Sequence, residues 1–227
     1  MTASPHARRV QLAFVAVAVL HLAGHLAGVE LLQQLTKPLL MPALAAWVFV
    51  CRGPRLLLVA LLFGWGGDVL LQTGNDTLFL FGMASFGIGH LCYLMLFRRF
   101  GSFDARRTAL FVGGYAVVTA VTVAALWPDL DAPLRIPVAG YSLLLAVMAC
   151  FAAAGAGWRA GIGGALFLLS DTLIAVRMAE WQLLPAHGFW VMLTYVAAQY
   201  LLADGLLRRA AAVQDDRRAG RPAEAVG

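Results

Sequence analysis

The organisation of this chain is clearest in residues 55–99, which read RLLLVALLFGWGGDVLLQTGNDTLFLFGMASFGIGHLCYLMLFRR. Two apolar runs, residues 56–71 and 78–97, are separated by a short polar turn. Arg55 precedes the first run, and Arg98 and Arg99 follow the second. A transmembrane helix needs about 20 largely apolar residues, and basic residues gather on the cytoplasmic side of a membrane. The stretch therefore predicts two antiparallel transmembrane helices whose arginine ends lie in the cytoplasm.

The rest of the chain repeats this pattern. Of its 227 residues 61% are hydrophobic and only 13% are charged, whereas a soluble domain carries roughly 25% charged residues. Eight spans are predicted, over residues 10–29, 31–51, 56–71, 78–97, 108–127, 134–154, 160–176 and 189–207. We therefore expect an all-α integral membrane protein, a bundle of about eight transmembrane helices that forms a single polytopic domain over residues 1–209. Residues 210–227 lack apolar periodicity and are predicted to be a disordered cytoplasmic tail.

The basic residues predict how the spans are oriented. Fourteen of the 17 Lys and Arg residues fall on one side of the predicted spans, and only Lys37, Arg135 and Arg177 fall on the other. Because basic residues favour the cytoplasmic side, both termini are predicted to be cytoplasmic. The excess of Arg over Lys, with abundant Ala and Gly, indicates a GC-rich bacterial genome. The predicted location is thus the bacterial cytoplasmic (inner) membrane.

Two short motifs suggest a weak internal repeat. The third and seventh predicted helices contain GDVL at residues 67–70 and SDTL at residues 170–173, and each following helix ends in an Arg pair. These features suggest two halves of four helices each, a 4+4 parallel repeat of the kind found among transporters. Chance similarity between apolar helices is the alternative.

Two acids lie inside the predicted spans. An ionised group at the centre of a bilayer costs at least ~2.5–3.5 kcal/mol, so acids that persist there are functional candidates. At a rise of 1.5 Å per residue, Asp68 would lie ~5 Å and Asp171 ~10 Å below the non-cytoplasmic ends of their helices. Asp68 could instead be an interfacial helix cap. We predict that Asp68 and Asp171 are catalytic.

Other polar side chains share the predicted spans with these acids. Those predicted to bind substrate or support catalysis are Lys37, His90, Tyr93, Tyr141, Ser170, Tyr195 and Gln199. Tyr195 and Gln199, at i and i+4, share one face of the eighth helix. Lys37 could equally extend its ammonium group to the membrane surface, and His90 and the tyrosines could serve only interhelical hydrogen bonding.

No metal site or cofactor is predicted. His21 and His25 have the i, i+4 spacing of a metal-binding pair, but no completing ligands lie nearby in the sequence, so a packing role is favoured. The three cysteines fall in apolar segments without a C-x-x-C motif. The many glycines suit close helix packing and do not form a phosphate loop. The positive charge is expected to face the lipid bilayer rather than nucleic acid, and no protein partner is indicated.

Several short motifs follow one another along nearly the whole chain. They are KPL at 37–39, GDVLL at 67–71, GMASF at 82–86 continuing to HLCY at 90–93, GALF at 164–167 leading to Ser170 and Asp171, and YVAAQ at 195–199. In their order and spacing these motifs resemble the lysoplasmalogenase (YhhN) family of multispan membrane proteins.

The resemblance implies hydrolysis of the vinyl ether bond of lysoplasmalogens, with a choline or ethanolamine headgroup, to a fatty aldehyde and a glycerophospho-alcohol. A carboxylic acid kept protonated by a low-dielectric site could protonate the vinyl ether, and a second carboxylate could stabilise the resulting cation. Asp68 and Asp171 would be this pair, and the expected partner is a lysophospholipid substrate. The alternatives are a metal-dependent membrane lipid hydrolase and a small multispan transporter.

Overall fold

The computed structural model describes residues 4–181 and 184–220, and within these stretches every regular element is an α-helix. Eight helices occur in the order of the predicted spans: α1 (Pro5–Leu26), α2 (Glu30–Val50), α3 (Arg55–Leu71), α4 (Asp76–Phe100), α5 (Ala105–Leu126), α6 (Ala132–Gly155), α7 (Trp158–Met178) and α8 (His187–Arg218). Of these described helices, α1 and α4 to α8 are long and apolar enough to cross a membrane. The predicted all-α membrane class is confirmed.

The two remaining helices are shorter or more polar. Helix α3 has 17 residues, which corresponds to a length of about 25 Å. The first half of α2 contains Glu30, Gln33, Gln34 and Lys37. The second helix, predicted over residues 31–51, is observed as α2, which is continuous from Glu30 to Val50 and contains Lys37 and Pro38.

Helix α8 is longer than predicted. The apolar span was expected to end at residue 207 and disorder to begin at residue 210, but the helix continues to Arg218. Residues 210–218 of the predicted tail are therefore helical, and residues 221–227 lie outside the described residues. Ala and Arg are strong helix formers, and extending an existing helix requires no new nucleation. Hydropathy detects the apolar part of such a helix but not its polar extension.

The chain divides into two compact units, Met1–Cys92 and Tyr93–Gly227, with the boundary inside α4. Unit 1 contains α1 to α3 and the first part of α4, and unit 2 contains the rest of α4 and α5 to α8. The single domain over residues 1–209, the 4+4 repeat and the cytoplasmic location of the termini stay predictions.

In unit 1, two prolines of α2 create the hydrogen bonds that connect it to α3. Proline has no backbone N–H, so it leaves the carbonyl four residues earlier without its helical donor. Pro38 frees the carbonyl of Gln34, which accepts from Gln72 Nε2 at 3.2 Å. Pro42 frees the carbonyl of Pro38, which accepts from Trp65 Nε1 at 2.9 Å. Each freed carbonyl is thus satisfied by an α3 side chain.

Small residues bring α3 and the first part of α4 together. A Cβ added to Gly67 would clash with the ring of Phe86, and one added to Gly66 would lie 2.9 Å from Ser85 Oγ. Ser85 Oγ donates to the Phe63 carbonyl at 2.6 Å. The glycines that precede Asp68 therefore allow α4 to pack closely against the helix that bears this acid.

In unit 2, adjacent glycines of α7 pack against different helices. A Cβ on Gly164 would lie 2.8 Å from Ala149 Cα on α6, and a Cβ on Gly163 would lie 2.9 Å from the Leu202 backbone nitrogen on α8. Most side chains of α5, by contrast, are exposed; Thr119 and Leu126 are buried. Helix α7 is therefore held at backbone contact distance between α6 and α8.

Candidate active site

Asp68 is buried in unit 1, with 4% of its surface exposed, in the last two turns of α3. Aspartate side chains cap the N-terminal ends of helices, where free N–H groups are available. Asp68 lies near the C-terminal end, where the helix dipole disfavours negative charge. Asp68 therefore does not cap α3, whose N-cap residue is Pro54.

His90 and Lys37 also belong to unit 1. His90 lies on α4 and is only 1% exposed. Lys37 is half-buried on α2 and makes no ion pair or hydrogen bond with any described residue. The structure thus gives unit 1 three of the predicted site residues, on three different helices.

Three predicted residues of unit 2 form a buried hydrogen-bonded chain. The Tyr93 hydroxyl donates to Gln199 Oε1 at 2.7 Å, and Gln199 Nε2 donates to the Tyr195 hydroxyl at 3.4 Å. All three side chains are at most 4% exposed. The predicted shared face of Tyr195 and Gln199 is confirmed, whereas the contact between Tyr93 and Gln199 was not predicted. The Tyr195 ring also packs edge-to-face on Phe167, with ring centroids 5.5 Å apart.

Asp171, also in unit 2, is held by a tyrosine from the neighbouring helix. The Tyr141 hydroxyl on α6 donates to Asp171 Oδ2 on α7, and both residues are half-buried. The preceding residue has a different role, because the Ser170 hydroxyl donates to the Val191 carbonyl of α8 at 3.1 Å. Ser170 therefore connects α7 to α8, while Asp171 remains partly accessible.

Asp204, a buried acid of unit 2, was not among the residues predicted from the sequence. Asp204 on α8 is 6% exposed, and its Oδ2 accepts from Arg159 at 2.6 Å and from Arg208 at 2.9 Å. The signal was the i, i+4 spacing of Asp204 and Arg208, which favours an ion pair on a helix. Arg159 precedes Asp171 by twelve residues of α7, or about 18 Å of helix. This ion cluster therefore lies far along α7 from Asp171.

The apolar pocket between α5 and α6 does not contain the predicted site residues. It has a volume of about 380 Å³ and is lined by side chains including Tyr115, Thr119, Leu143 and Cys150. Across residues 4–181 and 184–220, no three His, Cys, Asp or Glu side chains cluster as metal ligands would. The candidate site residues are the polar groups described above within each unit, and they lie outside this pocket.

The model of the YhhN family matches residues 32–206. This match covers more than half of the chain and includes every predicted site residue. The chain belongs to the YhhN family. All of this YhhN protein's helices except α1 lie wholly or largely within the matched region.

Curated relatives of this YhhN protein carry the name lysoplasmalogenase. It is 29% identical over 198 residues to lysoplasmalogenase TMEM86A of Bos taurus, an alignment that covers 78% of this chain and 80% of the relative. It is 33% identical to lysoplasmalogenase TMEM86B of Homo sapiens, over 75% of this chain and 73% of the relative. It is 31% identical to a lysoplasmalogenase of Mycobacterium bovis, over 80% of this chain and 73% of the relative. No solved structure matches this YhhN protein significantly.

Proposed function

We propose that this YhhN protein is a lysoplasmalogenase, an enzyme that hydrolyses the vinyl ether bond of lysoplasmalogens. The observation that carries the proposal is the similarity, at 29–33% identity over most of the chain, to relatives that bear this name. Its substrate would be a lysophospholipid that reaches the enzyme within the bilayer. The products would be a fatty aldehyde and a glycerophospho-alcohol.

The proposed reaction begins with proton transfer from a carboxylic acid to the outer carbon of the vinyl ether. An oxocarbenium ion results, in which the positive charge is shared between the adjacent carbon and the ether oxygen. Water adds to that carbon and loses a proton to a carboxylate, giving a hemiacetal. The hemiacetal collapses to aldehyde and alcohol, so the sum of the steps is the addition of one water molecule.

The surroundings of the two acids support different roles for them. Asp171 accepts a hydrogen bond from Tyr141, and such a bond stabilises an ionised carboxylate. We assign Asp171 to cation stabilisation and proton acceptance from water. Asp68, buried near the C-terminal end of α3, is assigned as the acid that donates the proton. That both acids act on one substrate is a prediction from the sequence.

The experiment is to incubate the purified protein with 1-alkenyl and 1-acyl lysophospholipids and to measure released aldehyde and fatty acid. We expect aldehyde from the alkenyl lipid and no fatty acid from the acyl lipid. Activity that disappears with a chelator would favour the metal-dependent hydrolase. Uptake of a solute into vesicles, without aldehyde formation, would favour the transporter.

Replacement of each acid tests its role. Asp68→Asn and Asp171→Asn keep the side-chain shape but cannot donate or accept the proton, so aldehyde release should fall roughly 10²–10⁴-fold. Glu180→Gln, which removes an exposed carboxyl after α7, should leave the rate unchanged. A folded Asp68→Asn or Asp171→Asn protein with normal turnover would remove that residue from catalysis.

A further inference from the structure

Three basic side chains, which we call the histidine–lysine cluster, lie where α1 and α2 pair: His21, His25 and Lys37. The His21 and His25 rings meet edge-to-face, with centroids 4.9 Å apart. His21 Nδ1 lies 2.8 Å from Thr36 Oγ1. Because the single Thr36 hydroxyl proton is donated to the Leu32 carbonyl, the His21 nitrogen must be the donor in this contact. Thr36 thus fixes the orientation of His21, against which His25 packs.

This cluster has no anionic partner among the described residues. Lys37 directly follows Thr36 in α2, so it lies next to the contact between His21 and this helix. The ion pairs of the described residues join Asp204 to Arg159 and Arg208, far along the sequence from Lys37. His21 is fully buried, and its Nε2 lacks a hydrogen-bond partner. Because the His21 ring proton lies on Nδ1, Nε2 of the neutral imidazole is an acceptor and adds neither a donor nor a charge. The positive charge of this part of unit 1 is therefore that of Lys37, which has no ion-pair partner among the described residues.

Such a cluster favours an anionic ligand. A cation in low-dielectric surroundings is costly unless it is paired, and a phosphate supplies both a negative charge and several acceptor oxygens. In a lysoplasmalogen the vinyl ether and the glycerol are uncharged, so the phosphate is the group that matches the cluster. Lys37 and His25 are both half-buried and thus accessible to a ligand.

We propose that Lys37 and His25 bind the phosphate of the lysophospholipid substrate, and that His21 positions His25 through their ring contact. This inference rests on the proposed function, because it assigns a headgroup site to that activity. Lys37 and His25 would hold a part of the substrate that does not react. They would therefore contribute equally to binding of the substrate and of the transition state, and their loss should raise KM more than it lowers kcat.

The binding test uses lipids that cannot be hydrolysed, so that it does not depend on the activity. The purified protein, in a maltoside detergent that lacks phosphate, is titrated with 1-O-alkyl-glycerophosphocholine and with 1-O-alkylglycerol, which share the chain and the ether. Loss of one charge-assisted hydrogen bond weakens binding roughly 10- to 100-fold. Lys37→Gln should weaken binding of the phosphate lipid by this factor and leave the alkylglycerol unchanged.

Matched variants separate charge from general damage. Lys37→Arg should retain most of the preference for the phosphate lipid, and His25→Gln should reduce it less than Lys37→Gln does. Arg177→Gln removes an exposed charge that is predicted to lie on the same membrane side, and it should have no effect. Equal losses for both lipids in Lys37→Gln, or no loss for either, would overturn the proposal and show that Lys37 only extends to the membrane surface.

Two further arms complete the test. At the concentration at which the phosphate lipid binds, inorganic phosphate should neither bind to the protein nor displace the lipid. Binding of inorganic phosphate that depends on Lys37 would show that the ligand is the free ion and not a lipid headgroup. In the aldehyde assay, Lys37→Gln should raise KM for the alkenyl phospholipid. If the wild-type protein released no aldehyde but bound the phosphate lipid through Lys37, the proposed function would fail while the anion site would stand.

Discussion

Tyr141 and Asp171 are separated by 30 residues in the sequence, yet their side chains share a hydrogen bond between α6 and α7. If Asp171 acts as a carboxylate, this bond stabilises the charge it needs in the transition state. A hydrogen bond to a charged group contributes roughly 1.5–3 kcal/mol. Tyr141→Phe should therefore lower kcat for aldehyde release by roughly ten-fold or more, with a smaller change in KM.

The control for this substitution is Tyr115→Phe, which removes a hydroxyl from the pocket between α5 and α6. It should leave kcat at the wild-type value. Wild-type kcat in a folded Tyr141→Phe protein would contradict the role assigned to Asp171.

The residue scale also shows what the sequence can and cannot predict. Tyr195 and Gln199 were predicted to meet because a helix places i and i+4 on one face. The partners of Tyr93 and Asp171 were not predicted, because they come from other helices and depend on packing. The ion pair of Asp204 was not predicted, because Arg208 was used only to orient the spans. The i, i+4 spacing of the two residues would have indicated the pair.

At the scale of the elements, α2 and α3 depend on each other through the two prolines. Trp65→Phe removes the donor to the Pro38 carbonyl, on the outer surface of the helix pair, and should cost about 1–3 kcal/mol of stability, because lipid cannot replace that donor. Pro42→Ala returns a backbone N–H to that carbonyl. The same Trp65→Phe change should therefore cost about 1 kcal/mol less in the Pro42→Ala background.

The measurement for this cycle is the free energy of unfolding of the four proteins in mixed micelles. Trp190→Phe, at a partly exposed tryptophan of α8, should cost the same with or without Pro42→Ala. Equal costs of Trp65→Phe in both backgrounds would show that the indole does not substitute for the missing backbone donor.

The glycines of α7 make a second prediction at this scale. A Cβ on Gly163 would lie 2.9 Å from the Leu202 nitrogen and 3.0 Å from the Ala198 carbonyl oxygen, both backbone atoms that cannot rotate away. Gly163→Ala should destabilise the protein by about 1–3 kcal/mol, the usual cost of overpacking. Thermal unfolding in detergent measures the loss.

Gly113 on α5 supplies the matched control, since a Cβ there would meet nothing within 4 Å. Gly113→Ala should be neutral, or stabilising by up to about 1 kcal/mol, because alanine favours the helix more than glycine does. If Gly163→Ala and Gly113→Ala had the same effect, the packing of α7 on α8 would not restrict the size of the side chain at residue 163.

The positions of the helices could be predicted from the sequence because apolar runs and polar turns alternate clearly. The C-terminal end of α8 could not be predicted in this way. Its C-terminal extension contains Ala210, Asp215 and Arg218, which form helix readily but have no apolar pattern to detect. The tight contacts of Gly163 and Gly164 were also not predictable in detail, because many glycines of the chain have no close neighbour.

At the scale of the whole molecule, the distribution of basic residues predicts the topology. A green fluorescent protein fused after Gly220 should fluoresce in bacteria, because the C-terminus is predicted to be cytoplasmic. Alkaline phosphatase inserted at Gly74, in the turn between α3 and α4, should be active outside the cytoplasmic membrane. The reverse pattern would show that the fourteen-to-three charge asymmetry does not set the orientation.

The two prolines of α2 also bear on how the protein is made. Hydrocarbon cannot satisfy a bare carbonyl, and each unsatisfied group there costs several kcal/mol. A newly synthesised α2 would expose the Gln34 and Pro38 oxygens until Gln72 and Trp65 emerge from the ribosome. We expect α2 to wait at the insertion machinery and to enter the lipid together with α3, so that these two helices insert as a pair and not one after the other.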